Sequence, residues 1–305
     1  MLQQHSFATT DQTTQPAWLT ESWRLASWYL FLARRRLMTL IMLIIFVVGY
    51  LLIIGITVLI YTVSTKVAAD AISSTLTFPG TLTMITGYLG LLGPILLAIL
   101  AAGLVGSEYG YGIQRQLLSR GMGRAQVMTA QLVAMAIIAL VMAAFTLLLG
   151  ALVGVILGPI LGISIHALSA SGWLGLILFW LTNSLRLFVY MLIAVFLATL
   201  GRSIVSGLAF TLGIILLEGV LTTVLSFVAF DFRGKQLGDI INQIANWFPS
   251  NSSTTINNAA SQVMLSSGRS IAAATLWQAI AAVAIYYVVL IAGSYLIYCS
   301  RDSVE

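Results

Sequence analysis

Long apolar runs alternate with short polar stretches along the whole chain. The apolar runs cover 38–63, 82–106, 127–157, 173–200, 204–230 and 271–298. Each is long enough, at ~1.5 Å per residue, to cross ~30 Å of hydrocarbon as a helix. The pattern predicts an all-α integral membrane protein with six transmembrane helices. The breaks carry turn residues. Pro79-Gly80 closes a polar linker that holds Lys66 and Asp70, a second linker over 159–172 holds His166, and Gly201-Arg202-Ser203 turns the chain between the fourth and fifth runs. Inside the second run Gly90, Gly93 and Pro94 predict a kink or a close helix contact. Gly150, Gly154 and Gly158 recur at intervals of four, a spacing that admits close helix approach but also arises by chance in a Gly-rich membrane chain.

Two stretches outside the runs have a pattern of their own. After a polar segment over 1–15, predicted to be disordered, Trp18, Trp23, Trp28 and Tyr29 mix with Glu21, Arg24 and Arg34 to Arg36. Indole rings settle at headgroup depth and arginines reach an anionic leaflet, so this predicts an N-terminal interfacial helix. The alternative is a tilted extension of the first span. The longest polar region, 231–270, places Leu237, Ile240, Ile241, Ile244 and Phe248, then Ile256, Ala259, Ala260, Val263 and Met264, at helical spacing. Two short helices resting on the outer surface are expected there, separated by 249–253.

Composition agrees: 60% of the 305 residues are hydrophobic and 8% charged, with a mean hydropathy of +1.02. The net charge of +5 does not signal nucleic acid, because the basic residues stand at the ends of spans. Arg24, Arg34, Arg35, Arg36, Arg115, Arg120, Arg124, Arg202 and Arg301 fall on one side, nine in all, against Lys66, Arg233, Lys235 and Arg269 on the other. The positive-inside bias then places both the N and C termini in the cytoplasm. A single cysteine, Cys299, excludes an internal disulfide. No removable signal peptide is expected, since the first apolar run follows three arginines and exceeds an h-region.

Catalytic signatures are missing. With only Lys66 and Lys235 there is no G-x-x-x-x-G-K-[ST] phosphate loop, and neither HExxH nor a Cys/His cluster occurs. Two ionisable residues lie inside the runs, Arg186 and Glu218. Each is sixteen residues from Arg202, so on adjacent antiparallel helices both stand ~24 Å along. An intramembrane ion pair is expected, either to specify the fold or to line a route through the bundle.

The stretch over 106–124, between the second and third runs, is both charged and glycine-punctuated. Residues 113–120 can form two helical turns, with Ile113, Leu117 and Leu118 toward one side and Gln114 and Arg115 turned away. Such an element suits a partner docked at the membrane surface, or is an ordinary basic inside loop.

The run EYGYGIQRQLLSRGMGR over 108–124, leaving one span and followed by another, resembles the cytoplasmic loop after span two of ABC-2 type transporter permeases. An interfacial helix before span one and a polar outer region before span six extend the likeness to nearly the whole chain. Ile113 stands where the family usually has Thr, and Gly121-Met122-Gly123 replaces a stretch that often contains Pro. The resemblance implies a cytoplasmic segment over 1–37 and a permease domain over 38–305, with a coupling loop at 107–126 and an extracytoplasmic region at 231–270. It implies two permease chains, identical or related, working with separate ABC ATPase subunits. ATP and Mg would be held on those subunits, with no cofactor here. Glu108, Ile113, Arg115, Leu117, Leu118, Arg120 and Arg124 would couple the two, with Glu108 favourable beside exposed N–H groups and the arginines pairing with carboxylates. A multi-pass place in a bacterial or archaeal cell membrane follows, with export as the expected direction. The competing readings are an intramembrane enzyme, disfavoured because no nucleophile–base pair is apparent, and a non-transporting scaffold or sensor.

Overall fold

A computed structural model of the chain describes residues 18–64, 72–119, 121–164, 167–232, 236–265 and 272–300. The N-terminal polar segment, Lys66, Asp70, His166, Arg233, Lys235, Arg269 and the C-terminal tail lie outside the described residues, as do Arg120 and the side chains of Arg115 and Leu118. Every regular element among the described residues is helical. In chain order these elements are α1 Trp18–Arg35, α2 Leu37–Val63, α3 Gly80–Gly110, α4 Ile113–Ser119, α5 Arg124–Ile160, α6 Ala170–Gly201, α7 Ile204–Asp231, α8 Gln236–Ala245, α9 Pro249–Leu265 and α10 Ala273–Ser300. Six of these, α2, α3, α5, α6, α7 and α10, are long and apolar enough to cross a membrane. They are the six expected runs, five of them with wider bounds and the last shifted by two residues. The 37 residues of α5 reach ~55 Å at ~1.5 Å each, well beyond ~30 Å of hydrocarbon.

The most buried spans are α3 and α6, while α2, α7 and α10 present most of their surface outward. Small residues create that centre. Along α3, Ala101, Ala102, Gly103, Gly106 and Ser107 are all buried. A Cβ at Gly106 would stand 2.6 Å from the Ile204 Cα at the start of α7, and one at Gly207 would stand 2.6 Å from the Ala198 Cβ of α6. Without side chains at these points the backbones close up and dispersion contacts hold the spans together. Gly90 and Gly93 do the same further along α3, where added Cβ atoms would meet the Arg186 guanidinium and Leu187. Pro94 lies within a continuous α3. The Gly150 and Gly154 spacing is used too: α5 lays it against Ile85 and Thr81 of α3.

The expected break between the N-terminal helix and the first span is present. Arg36, extended at φ −71° and ψ 126°, separates α1 from α2. One stripe of α1, namely Ser22, Leu25, Ala26, Tyr29 and Ala33, is buried on the bundle, and Trp18, Trp23 and Trp28 stay exposed. Arg202 turns the chain between α6 and α7 in the left-handed region, at φ +51°. Ser203 then caps α7, its Oγ accepting from the Ser206 N–H at 3.0 Å.

The region before the last span departs from expectation. Two helices form, but as a hairpin: α8 runs along the outer side of the bundle, and the turn after it and α9 pack inward. Gln278 Nε2 of α10 donates to the Gln243 carbonyl (3.0 Å), the Tyr286 hydroxyl to the Trp247 carbonyl (3.1 Å), and the Ser250 N–H to Glu218 Oε1 (2.6 Å). Glu218 is thirteen residues in from the end of α7 at Asp231, or ~20 Å. The chain then climbs out as α9, whose most extensive packing is on α6, where Asn257 meets Asn183 and Met264 lies over Gly175. Only Gly238 and Ala245 of α8 are buried, and its apolar edge of Leu237, Ile240 and Ile244 faces outward.

The end of α8 and the turn over 246–248 leave backbone carbonyls that must be satisfied by protein where water is excluded. That explains the run SNSSTTINN over 250–258. Asn251 Nδ2 donates to the Ala245 carbonyl (2.9 Å), Ser252 Oγ to that of Asn246 (2.5 Å), and Ser253 Oγ to that of Pro249 (2.5 Å). In sequence these residues look like a solvated loop. In the fold they form the first turns of α9, where Asn251 and Ser252 bond the carbonyls that end α8 and begin the turn after it.

Candidate functional site

The first candidate site is the basic end of the bundle, where α1, the end of α3, α4, the start of α5 and the end of α10 meet. Gly112 and Gly121, at φ +63° and +82°, bracket α4; these left-handed turns suit glycine, and they let seven residues form an isolated helix. Ile113, Gln116 and Leu117 of α4, with Met122, face Leu25 and Trp28 of α1 across a cleft of about 560 Å³ that also holds Glu21 and Arg24. Ile113 and Leu117 therefore line this cleft. Leu117 and Met122 pack on the main core, and a half-apolar groove is left between α1 and α4.

Glu108 is also not on the surface. It is 1% exposed, inside α3 and not in the loop after it. Gln131 Nε2 of α5 donates to its Oε2 at 2.8 Å and contacts the Tyr29 hydroxyl of α1 at 3.3 Å. Burial first, and then the Glu108 carboxylate, push the Tyr29 phenol far above its usual range, so it stays a neutral hydroxyl. One turn away, Arg36 donates to the Gly103 carbonyl (2.6 Å) and to Ser107 Oγ (2.7 Å). Gln126 at the start of α5 accepts from the Gly123 N–H (2.9 Å) and donates to Glu21 of α1 (3.0 Å). Arg124 donates to the Cys299 carbonyl at the end of α10 (3.2 Å). Of the expected coupling residues, Glu108 and Arg124 thus tie helices together, Ile113 and Leu117 line the cleft, and the side chains of Arg115, Leu118 and Arg120 are not described.

Gln131→Leu should show the strength of this tie. It removes a donor from a buried carboxylate, and hydrogen bonds to charged groups are worth about 1.5–3 kcal/mol. A lower melting temperature in detergent and faster tryptic cleavage at Arg24 are expected; wild-type behaviour on both counts would mean the bond is dispensable.

The second candidate site is at the level of the hairpin turn. Arg186 and Glu218 come to the same region, as their equal distance from Arg202 predicts, but they do not form the expected ion pair. Tyr190, one turn along α6 from Arg186, donates its hydroxyl to Glu218 Oε2 (3.0 Å). The other oxygen takes the Ser250 N–H at the first turn of α9, where unsatisfied N–H groups favour an anion. Arg186 donates to the Gly90 carbonyl of α3 at 3.3 Å. Beside the turn, Glu218, Phe248, Pro249 and Tyr286 border an otherwise apolar cavity of about 320 Å³ between α6, α7 and α10.

Residues 32–303 match the model of the ABC-2 family transporter proteins. The chain belongs to the ABC-2 transporter family. No curated protein matches it. This ABC-2 chain is a multi-pass membrane protein of the permease type, and membrane proteins of its family work with ABC ATPase subunits.

Several residues of this ABC-2 protein carry more of the site than sequence patterning indicated. Gln131 and Asn183 are each 1% exposed or less and are isolated amides within apolar spans, a signal as strong as that of Arg186. Asn183 Nδ2 donates to Asn257 Oδ1 (2.8 Å), which also accepts from Thr182 (3.0 Å). Tyr190 and Ser250 had no such signal, because a tyrosine in a span and a serine in a polar run are ordinary.

Proposed function

We propose that this chain is the permease subunit of an ABC transporter, exporting a substrate on ATP hydrolysed by a separate ATPase subunit, with ATP and Mg bound on that partner. Two permease chains form the complete membrane unit, in a bacterial or archaeal cell membrane. The basic end of the bundle faces the cytoplasm with both termini, and α1 lies in the interface there. The observation that carries this reading is α4: a short helix between two spans, set off by two left-handed glycines, forming one wall of the α1–α4 cleft. The cleft offers an apolar floor with Glu21 and Arg24 at its rim, the combination that receives a short partner helix. Force applied to it passes through Leu117 and Met122 into the core, and through Tyr29, Gln131 and Glu108 from α1 into α5 and α3.

Purified from its native membranes in mild detergent, the wild-type chain is expected to bring down a phosphate-loop ATPase identifiable by peptide mass spectrometry. Gln116 is exposed on the cleft, so Gln116→Trp obstructs it without touching the core. That variant should lower ATPase yield about tenfold, a loss of ~1.4 kcal/mol, at unchanged permease yield. An ATPase recovered equally with Gln116→Trp and Ile113→Asp would rule out docking at this cleft; no ATPase with wild type would rule out the permease reading itself.

A further inference from the structure

The first span is loosely held. Of α2 only Phe46, Tyr50 and Ile54 are buried, and toward Thr39 and Met42 α2 borders an open groove. A groove of about 350 Å³ opens there between α1, α2, α3 and α5. Its walls include Leu30, Met42, Leu100, Ile138 and Phe145, and its single charged lining residue is Arg34. Along α5 the lining spans 137–145, ~12 Å at ~1.5 Å per residue, against ~15 Å for the hydrocarbon of one leaflet.

An apolar groove of that depth in a spanning bundle is filled from the bilayer. Left empty, its walls forfeit dispersion contacts, and a neighbouring acyl chain supplies them without desolvating a polar group. The charge at its rim selects the headgroup. Of the three consecutive arginines, Arg36 is committed to Gly103 and Ser107, and Arg35 lies over the Phe31 ring at 4.5 Å. Arg34 is exposed and has no hydrogen-bond or ion-pair partner among the described residues. Its guanidinium matches a phosphate by forked hydrogen bonding.

We propose that this groove is a binding site for an anionic phospholipid, with one acyl chain between α2 and α5 and the phosphate on Arg34. The lipid fills the elbow between α1 and α2. It thereby becomes part of the packing that sets the angle of α1, one wall of the α4 cleft.

The test uses the full chain in nanodiscs of equal phosphatidylglycerol and phosphatidylcholine, transferred to mild detergent and examined by native mass spectrometry. The wild-type chain should keep phosphatidylglycerol in preference to phosphatidylcholine. Arg34→Gln, at an exposed position where folding is not at stake, should lower that retention about fivefold, the weight of one basic residue at an anionic surface. Ile138→Trp, which fills the groove and leaves Arg34 in place, should lower it at least as much. Arg24→Gln, exposed on the same helix but outside the groove, should leave it unchanged. Equal retention of the two lipids by wild type overturns the headgroup assignment. Unchanged retention in both groove variants, or an equal drop with Arg24→Gln, overturns the site.

Discussion

Exchanging the two intramembrane charges, Arg186→Glu with Glu218→Arg, is expected to prevent assembly of the bundle and not to restore it. If the two formed a simple ion pair, reversal would preserve the attraction. Here each charge is matched to different, fixed groups. Glu218 accepts from the Tyr190 hydroxyl and the Ser250 N–H, both donors, and Arg186 donates to the Gly90 carbonyl. An arginine at 218 would point donors at a backbone N–H near a helix N-terminus, and a glutamate at 186 would face a carbonyl oxygen. Stranding a buried charge in this way costs about 3–5 kcal/mol. The informative companion is Glu218→Gln. Its amide oxygen can still accept from Ser250, and its NH2 can donate to the Tyr190 oxygen, so it should express and melt close to wild type. Glu218→Leu, which leaves the Ser250 N–H and the Tyr190 hydroxyl without an acceptor, should be markedly less stable. Monodisperse elution from a size-exclusion column in detergent, followed by a thermal melt, distinguishes these outcomes. Recovery by the double exchange would mean that a direct Arg186–Glu218 pair forms after all.

The second large effect is expected at Gly175. A Cβ there would stand 2.5 Å from the Met264 Cα and 2.8 Å from the Val263 carbonyl carbon of α9. Both are backbone atoms, so no side-chain rotation relieves the contact, and α9 must move away from α6. Overpacking usually costs about 1–3 kcal/mol, and with a rigid neighbour Gly175→Val should lie at or beyond the upper end. Because α9 also carries Asn257 and Ser250, its displacement should loosen the whole hairpin. A cysteine at Asn257, which is buried in wild type, reports on this directly. It should resist an impermeant thiol reagent in an otherwise unchanged chain and react rapidly once Gly175→Val is added. Equal, slow reaction in both backgrounds would show that the glycine is not what lets the hairpin seat.

The six spans were legible in the chain itself for one physical reason. A membrane helix satisfies its own backbone, so apolar length alone decides where it begins and ends, whatever its neighbours do. The turn at Gly201-Arg202-Ser203 and the isolated α4 were readable on similarly local grounds, since a left-handed residue or a cap acts within a few positions. The family resemblance also rested on local pattern, the stretch over 108–124.

Only the tertiary structure decided where polar residues point. Equal depth brought Arg186 and Glu218 to one level, but depth says nothing of rotation about a helix axis, and rotation gave Glu218 to Tyr190 and Arg186 to the Gly90 carbonyl. Glu108 reads as a loop carboxylate because it is charged and near a glycine; α3 runs two residues beyond it to Gly110, and Gln131 and Tyr29, far away in sequence, supply the environment that lets it be buried. The serines and asparagines over 250–258 match equally well a helix on a wet surface and a helix packed inside the bundle. What separates these is whether the carbonyls they bond are reached by water, and that is settled by the packing of α6, α7 and α10 around them.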